Sequence, residues 1–288
     1  MPSGEWAPAP QPLPVAVVDN HTHLDWTATD AHDMTEQPRS VARQLADAAA
    51  AGVDRVVQIG CDVEAARWTV AAVGEHTSMV GGVSLHPNDA ARHAAGTHST
   101  GLTYDEAFAE IAELARSPRI RVIGETGLDY FRTGPEGHAA QERAFRDHLA
   151  LARELELPVQ IHDRDAHADV LRVVDSDGAP RAVVMHCFSG DAEFARECLE
   201  RGWYLSFAGN VTFKNAQQLR DAAALAPADR ILVETDAPFL APHPHRGSLN
   251  APEQVAATVR ALADVRGDDL AALCVEIGAN SNALYGPW

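Results

Sequence analysis

Short apolar runs rich in valine and isoleucine alternate with longer segments of helical period along most of the chain. Continuous apolar runs of this length predict buried strands, whereas apolar residues three and four positions apart predict amphipathic helices. The pattern predicts eight strands, over 15–21, 55–60, 79–86, 121–128, 158–163, 182–188, 203–209 and 231–236. It also predicts nine helices, over 38–50, 63–74, 103–116, 136–155, 166–176, 191–201, 214–225, 252–265 and 268–283.

This alternation predicts a parallel sheet, because strands that are apolar on both faces need helices to cover them. Eight strand–helix units favour closure into a (β/α)8 TIM barrel over an open doubly wound sheet. No glycine-rich phosphate loop follows the first strand, which argues against a dinucleotide-binding fold. We predict a flexible N-terminal tail over residues 1–13 and a single barrel domain over 14–288.

The composition restricts the partners that this chain can bind. Its 288 residues carry a formal net charge of −18, so any contact with nucleic acid must be local. The four cysteines form no C-x-x-C pair, which is typical of a reduced intracellular protein, and we interpret them as small buried apolar residues. No signal peptide or membrane-spanning run is recognisable. We therefore expect a cytoplasmic protein with no membrane contact and no obligate protein partner.

Side chains that bind metals lie at the carboxyl ends of five predicted strands, where barrels assemble their active sites. Two of them, His21 and His23, are two residues apart and point to the same side of the first strand. Six ligands exceed one tetrahedral site and predict two divalent ions that share a carboxylate. The predicted ligands are His21, His23, Glu125, His162, His186 and Asp236.

Glu125 is the predicted bridging ligand, because the fourth strand lies opposite the first in a barrel of this kind. A carbamylated lysine cannot take that role, since the only lysine, Lys214, follows the seventh strand. Four imidazoles favour Zn²⁺ or Mn²⁺, and Mg²⁺ stays open.

Four further groups lie near the same strand ends and predict contacts with phosphate oxygens. Arginine offers a two-pronged fork to such oxygens, and lysine offers a point charge. For each of them a surface salt bridge is the alternative. The predicted substrate-binding residues are His86, Arg164, Lys214 and Arg246.

Long strings of the sequence resemble the TatD family of metal-dependent deoxyribonucleases, which are amidohydrolase-like barrels of the metallo-dependent hydrolase type. The matching strings follow one another along nearly the whole chain: DNHTHLD (19–25), GVSLHP (82–87), IGETGLDYFR (123–132), PVQIHDRDA (158–166), MHCFSG (185–190), LSFAGNVTFKNA (205–216), VETDAPFLAP (233–242) and HRGSLNAP (245–252). The resemblance implies two metal ions. It places His21, His23, Glu125 and Asp236 on one ion, and Glu125, His162 and His186 on the other.

The resemblance also implies a substrate, the phosphodiester bonds at DNA ends, from which an exonuclease releases nucleotides. Glu125 and Asp236 are the expected catalytic residues, with Asp236 acting either as a general base or only as a ligand. The chain departs from the family pattern at two positions, where Ser248 replaces a basic residue and Ala251 replaces an acidic one. Both changes are expected to weaken phosphate binding or alter the metals.

Two alternatives stay open from the sequence alone. Related barrels exchange chemistries through their loops, so the chain could hydrolyse esters or amides, for example as an aminoacyl-tRNA deacylase. The strong negative charge favours such a small substrate over a long polyanion. The other alternative is an inactive, metal-stabilised interaction protein, against which the full ligand set argues.

Overall fold

A computed structural model describes residues 4–28, 34–35 and 37–288. Residues 1–3 of the predicted tail lie outside this part, and the boundary at residue 14 stays a prediction. The chain forms two compact units, each built from separate stretches of sequence. The first unit consists of Met1–Gln58, His76–Met79 and Gly190–Trp288, and the second of Ile59–Glu75 and Val80–Ser189.

All eight predicted strands are present in one parallel sheet, whose strand order is the chain order. The strands are β1 (Val17–Thr22), β2 (Val53–Gly60), β3 (Met79–Val83), β4 (Ile120–Asp129), β5 (Val159–Arg164), β6 (Val183–Met185), β7 (Tyr204–Phe207) and β8 (Ile231–Val233). Four of them, β1, β3, β6 and β8, are buried at every residue, and the other four at most of their residues, as their valine-rich and isoleucine-rich runs predict.

The nine predicted helices are also present, with ends that differ by a few residues. The helices are α1 (Asp25–Ala28), α2 (Val41–Ala50), α3 (Val63–Glu75), α4 (Pro87–Ala94), α5 (Tyr104–Leu114), α6 (Pro135–Glu154), α7 (His167–Asp177), α8 (Ala192–Glu200), α9 (Gln217–Leu225), α10 (Val255–Arg266) and α11 (Leu270–Tyr285). Helices α1 and α4 were not predicted, because each is too short to display a helical period.

Helix α4 corrects the predicted end of the third strand. β3 ends at Val83, three residues earlier than expected, and His86 is the N-cap of α4. The His86 ring accepts a hydrogen bond from the backbone N–H of Asn88 at 3.1 Å, and Pro87 starts the helix with a favourable backbone angle. The chain therefore leaves the sheet and starts a helix at a position where the apolar pattern predicted that the third strand would continue.

In the first unit, β1 pairs with β2 and β7 pairs with β8, all in parallel. A bridge joins Thr22, the last residue of β1, to Ala237, which follows β8, and so aligns the ends of these two strands. The described part of the predicted tail makes specific contacts in this unit. The backbone N–H of Ala7 donates to Leu249, and that of Leu13 donates to Ala51, both at 3.0 Å.

In the second unit, β3, β4, β5 and β6 pair in sequence as parallel neighbours. Gly127 lets β4 approach β5 closely, since it adopts a φ of 142° and a side chain there would lie 2.1 Å from the carbonyl oxygen of His162. Helix α6 packs against β4 through buried residues such as Phe145 and Leu149. This close approach positions the functional side chains of β4 and β5 side by side.

Within the described residues, none of the helices combines the length and the apolar character that a membrane span requires.

Candidate metal centre

His21, His23 and Asp236 form a compact group in the first unit, called here the first cluster. The Nε2 atoms of the two histidines are 3.1 Å apart. Asp236 Oδ1 lies 3.5 Å from His23 Nε2 and 3.9 Å from His21 Nε2. Both histidines are buried, and the aspartate side chain is 17% exposed. Three donors thus face one small volume that solvent can reach.

Backbone hydrogen bonds between the ends of β1 and β8 hold the first cluster in place. The Asp236 N–H donates to the His21 carbonyl at 3.0 Å, and the His23 N–H donates to the Ala237 carbonyl at 2.8 Å. Asp236 itself adopts a φ of 54°, in the left-handed region that non-glycine residues rarely occupy. Such backbone strain is often maintained where the direction of a side chain matters.

Buried polar side chains lie beneath the first cluster. Ser206 donates to Glu234 at 2.5 Å, and Asn20 donates to Ser206 at 2.7 Å. The Tyr285 hydroxyl donates to Asn20 at 3.1 Å. The neighbouring carboxylate of Asp19 accepts from both the backbone and the hydroxyl of Thr235, and burial raises its pKa well above the usual value. This network fixes the backbone from which His21 and Asp236 project.

A second group of donors, called here the second cluster, lies in the second unit and consists of Glu125, Asp129, His162 and His186. Glu125 Oε2 is 2.9 Å from His162 Nδ1 and 3.1 Å from His186 Nε2. Asp129 Oδ2 lies 3.4 Å from His162 Nε2. The His162 side chain is 19% exposed and the other three are almost fully buried. The ring of His162 therefore lies between two buried carboxylates.

The electrostatics of the second cluster favour its charged forms. Burial alone would raise the pKa of Glu125, but the neighbouring His186, His162 and His86 hold it well below the usual value. Burial likewise opposes protonation of His162, yet hydrogen bonding to Asp129 and Glu125 raises its pKa to about 9. The ionised carboxylates of Glu125 and Asp129 favour a cation here, and His162 has to lose its proton before it can act as a metal ligand.

The sequence prediction missed two residues of this region. Asp129 follows Glu125 by four positions on the same strand, and the two-residue period of a strand could have revealed it. Cys61, interpreted as a buried apolar residue, is half-buried and its thiol donates to Glu125 Oε1 at 3.4 Å. That interpretation is wrong for Cys61 and for Cys187, which is also half-buried, whereas Cys198 and Cys274 are buried as expected.

The donors of the first cluster fit one divalent ion. Two imidazole nitrogens on a tetrahedral zinc ion are separated by about 3.3 Å when each bond measures roughly 2.0–2.1 Å. The 3.1 Å between the histidine nitrogens is close to this value, and Asp236 Oδ1 lies within 4 Å of both. Two imidazoles and a carboxylate are also the donor set that Zn²⁺ and Mn²⁺ prefer.

The four predicted substrate-binding residues occupy different settings. His86 lies in the second unit, where its ring contacts that of His162 with a centroid distance of 4.5 Å. Arg164 ends β5, and its guanidinium lies over the Phe131 ring at 4.0 Å. Arg246 stacks in the same way on Phe213 in the first unit, at 4.6 Å. Lys214 is exposed in the loop before α9. Phosphate binding by these residues stays a prediction.

The two departures from the family pattern lie in the loop after β8. Ser248 closes a turn by donating its backbone N–H to the His245 carbonyl at 3.0 Å. Ala251 is buried, and the preceding Asn250 donates to the carbonyls of Thr235 and Phe239, at 2.9 and 2.6 Å. The loop is thus held by Asn250 without an acidic side chain at position 251.

Parallel strands alternating with helices, with imidazoles and carboxylates grouped at the carboxyl ends of the strands, define the class of barrel-type metal-dependent hydrolases. Residues 18–286 match the model of the family described as TatD related DNase, and the chain therefore belongs to this family. It is a metal-dependent hydrolase of the TatD family with the (β/α)8 TIM barrel fold, as predicted from the sequence.

Individual relatives support the same assignment. The chain is 42% identical over 278 residues to an uncharacterized metal-dependent hydrolase TatD of Mycobacterium tuberculosis, covering 94% of this chain and 98% of that protein. It is 36% identical over 249 residues to a 3'-5' ssDNA/RNA exonuclease TatD of Cronobacter sakazakii, covering 84% and 90%. The crystal structure of YjjV, a TatD homolog from Escherichia coli K12, superimposes with a TM-score of 0.82 at 25% identity, covering 94% and 98%.

Proposed function

We propose that this hydrolase is an exonuclease that removes nucleotides from DNA ends by cleaving phosphodiester bonds. One observation carries the proposal: the imidazole and carboxylate donors of the first cluster converge at distances suited to a divalent ion. A relative named as an exonuclease on single-stranded DNA and RNA supports the choice of bond. Family membership favours neither the deacylase nor the inactive interaction protein.

The proposed ligands divide between the two units. His21, His23 and Asp236 hold one ion in the first cluster, and Glu125, His162 and His186 hold the other in the second cluster. The further role of Glu125 as a ligand common to both ions stays a prediction from the sequence. When bound, the ions supply a polarised phosphoryl oxygen and a water molecule that ionises near neutral pH.

The remaining roles follow from the hydrogen bonds of individual side chains. His86 accepts a hydrogen bond at Nδ1, so its neutral ring carries the proton at Nε2 and donates there. A donor suits a phosphate oxygen better than a metal ion, which supports the substrate-binding role predicted for His86. Arg164, Lys214 and Arg246 are proposed to contact further phosphate oxygens.

Asp236 has two possible functions in this proposal. Its carboxylate either accepts a proton from the attacking water or serves only as a ligand. Its side chain is 17% exposed, so solvent water reaches the carboxylate. The cleavage rate of the Asp236→Asn variant at saturating metal separates the two, because a lost ligand is compensated by excess metal and a lost base is not.

Incubation of the purified protein with end-labelled single-stranded DNA and Mg²⁺, Mn²⁺ or Zn²⁺ tests the proposal. We expect stepwise shortening from one end and no shortening in the presence of a chelator. An intact strand under all three metals, from protein with the expected circular dichroism spectrum, would contradict the proposed function.

A further inference from the structure

Phe131 is the most exposed large hydrophobic side chain among the described residues. Its side chain is 61% exposed, compared with 53% for Val275 and 36% for Val15, and it is the only aromatic one of the three. It lies in the second unit, in the loop between β4 and α6. A single exposed apolar residue is common on protein surfaces and carries no meaning alone. Its surroundings decide what it can do.

The backbone around Phe131 is fixed by the second cluster. Asp129 Oδ1 accepts hydrogen bonds from the backbone N–H groups of Phe131 and Arg132, at 3.0 and 2.8 Å. The N–H of Tyr130 donates to the Arg164 carbonyl at 2.9 Å. The other oxygen of Asp129 lies 3.4 Å from His162 Nε2. The Asp129 carboxylate thus contacts both the backbone that carries Phe131 and the proposed metal ligand His162.

Two arginines carry positive charge in this region, one over the ring and the other next to Phe131 in the chain. The guanidinium of Arg164 lies 4.0 Å from the ring centre of Phe131. The side chain of Arg132 is exposed, and within the part of the chain that the structure describes its guanidinium forms no ion pair. Acidic residues outnumber basic ones in this chain by 41 to 23, so most cations have carboxylates to pair with. A cation that pairs with none of the described carboxylates is available to an anionic ligand.

We propose that Phe131 is a stacking site for one nucleobase of a single-stranded substrate, with Arg132 and Arg164 binding the adjoining phosphates. This inference rests on the proposed nuclease function and adds to it a side chain that would hold a base of the single strand. Bases stack on aromatic rings with little regard to sequence, and arginines beside the ring add cationic attraction. Bases paired within a duplex cannot reach such a ring, so the site selects single strands. A peptide or lipid would require a wider apolar surface than one ring.

Binding of two strands of equal length and charge tests the inference. Fluorescein-labelled strands with hydrolysis-resistant phosphorothioate linkages are used, one carrying thymine at every position and the other abasic. Fluorescence anisotropy is expected to show tighter binding of the thymine strand to the wild-type protein. The Phe131→Ala variant should bind the thymine strand at least about fivefold more weakly than the wild type, and should bind the abasic strand with unchanged affinity.

Three further variants complete the design. Phe131→Trp should retain the preference for the thymine strand, because tryptophan also stacks on bases. Arg132→Ala should weaken binding of both strands, since it removes a phosphate contact. Val275→Ala, which truncates the exposed valine of α11, should match the wild type.

The outcomes separate this inference from the proposed function. Hydrolysis of a small chromogenic phosphodiester by the wild-type protein tests the nuclease chemistry alone. If the wild type cleaves this compound but binds both strands equally, the stacking site is wrong and the function stands. Equal binding of the thymine strand by the wild type and Phe131→Ala would also overturn the stacking site.

Discussion

The two clusters differ in how the chain assembles them. The first cluster takes two ligands from the end of β1, His21 on the strand and His23 one residue past it, and its third, Asp236, is joined to them by backbone hydrogen bonds. The second cluster collects its side chains from three neighbouring strands: Glu125 and Asp129 from β4, His162 from β5, and His186 from the residue after β6. A local motif builds the first, whereas strand pairing builds the second. The second cluster should therefore depend more strongly on the packing around it.

The clusters also differ in charge. The first has one carboxylate and two imidazoles, whereas the second has Glu125 and Asp129 around His162. Opposite charges in the second cluster stabilise one another before any ion binds, which explains the lowered pKa of Glu125 and the raised pKa of His162. Removal of one carboxylate should disturb the second cluster more than the first.

The largest expected effect follows from replacing the central carboxylate of the second cluster. Glu125→Gln keeps the size of the side chain but removes a charge that two imidazoles contact. We expect hydrolysis of labelled DNA to fall on the order of a thousandfold. Mass spectrometric metal analysis should find fewer ions per chain than in the wild type.

Asp236→Asn is the matched variant in the first cluster. Loss of a single ion from each variant would mean that the clusters bind metal independently. Loss of both ions from Glu125→Gln alone would support its predicted role as a shared ligand. Activity of Glu125→Gln within about tenfold of the wild type would contradict its place in the site.

Acid should destabilise the second unit through a buried histidine. His148 on α6 is fully buried, donates to the Ala144 carbonyl at 2.7 Å and accepts from the Leu85 N–H at 3.0 Å. Burial lowers its pKa to about 4, below the usual 6.5. The unfolded chain therefore binds the extra proton first, so stability is complete above pH 6.5 and is lost as the pH falls towards 4.

The expected loss of unfolding free energy across this range is about 3 kcal/mol, measured by urea denaturation at several pH values. The His148→Gln variant keeps a hydrogen-bond acceptor and donor but has no group that titrates in this range. It should therefore lose little unfolding free energy between pH 6.5 and pH 4. His243→Gln removes an exposed histidine and serves as the control. An unchanged pH profile in His148→Gln would show that another group titrates.

The apolar pattern predicted the sheet because strands buried on both faces have little freedom in composition. All eight strands were found in this way, and β1 with His21 is the clearest example. Helix α4 was not predicted, because its eight residues are mostly small or polar and its start depends on the His86 cap. A short helix whose position is set by its cap shows almost no helical period in its apolar residues.

The candidate site was predictable where a motif lies on one strand and less so where strands meet. His21, His23 and Asp236, expected near one another from their strand-end positions, do lie together, and their role as metal ligands stays a prediction. The contacts of Cys61 and Asp129 depend on the register of β4 with its neighbours, which the sequence does not display. The stacking of Arg164 on Phe131 likewise depends on the pairing of β4 with β5.

Replacement of Asp129 should have a smaller effect than replacement of Glu125. It can also separate the contribution of charge from that of hydrogen bonding in the second cluster. Its Oδ2 accepts from Asn88 Nδ2 at 3.0 Å besides facing His162. Asp129→Asn should lower metal affinity about tenfold in competition with a chelator, as is typical for partners of metal ligands.

The double variant Asp129→Asn with Asn88→Asp restores a donor and an acceptor between these two side chains. It leaves a neutral group beside His162, so metal affinity should stay low while thermal stability recovers. Full recovery of metal affinity would show that Asp129 acts only by holding the loop.

The smallest expected effect concerns the only lysine, in the first unit. Lys214 is exposed, and as a phosphate contact it would release about one counterion when a strand binds. Lys214→Met should therefore weaken binding only a few-fold, and should reduce the slope of log affinity against log salt by about one. Arg196→Met, which removes an exposed cation from α8 in the same unit, should leave both quantities unchanged. Equal slopes for Lys214→Met and the wild type would assign phosphate binding to the arginines alone, because a group that contacts no phosphate releases no counterion.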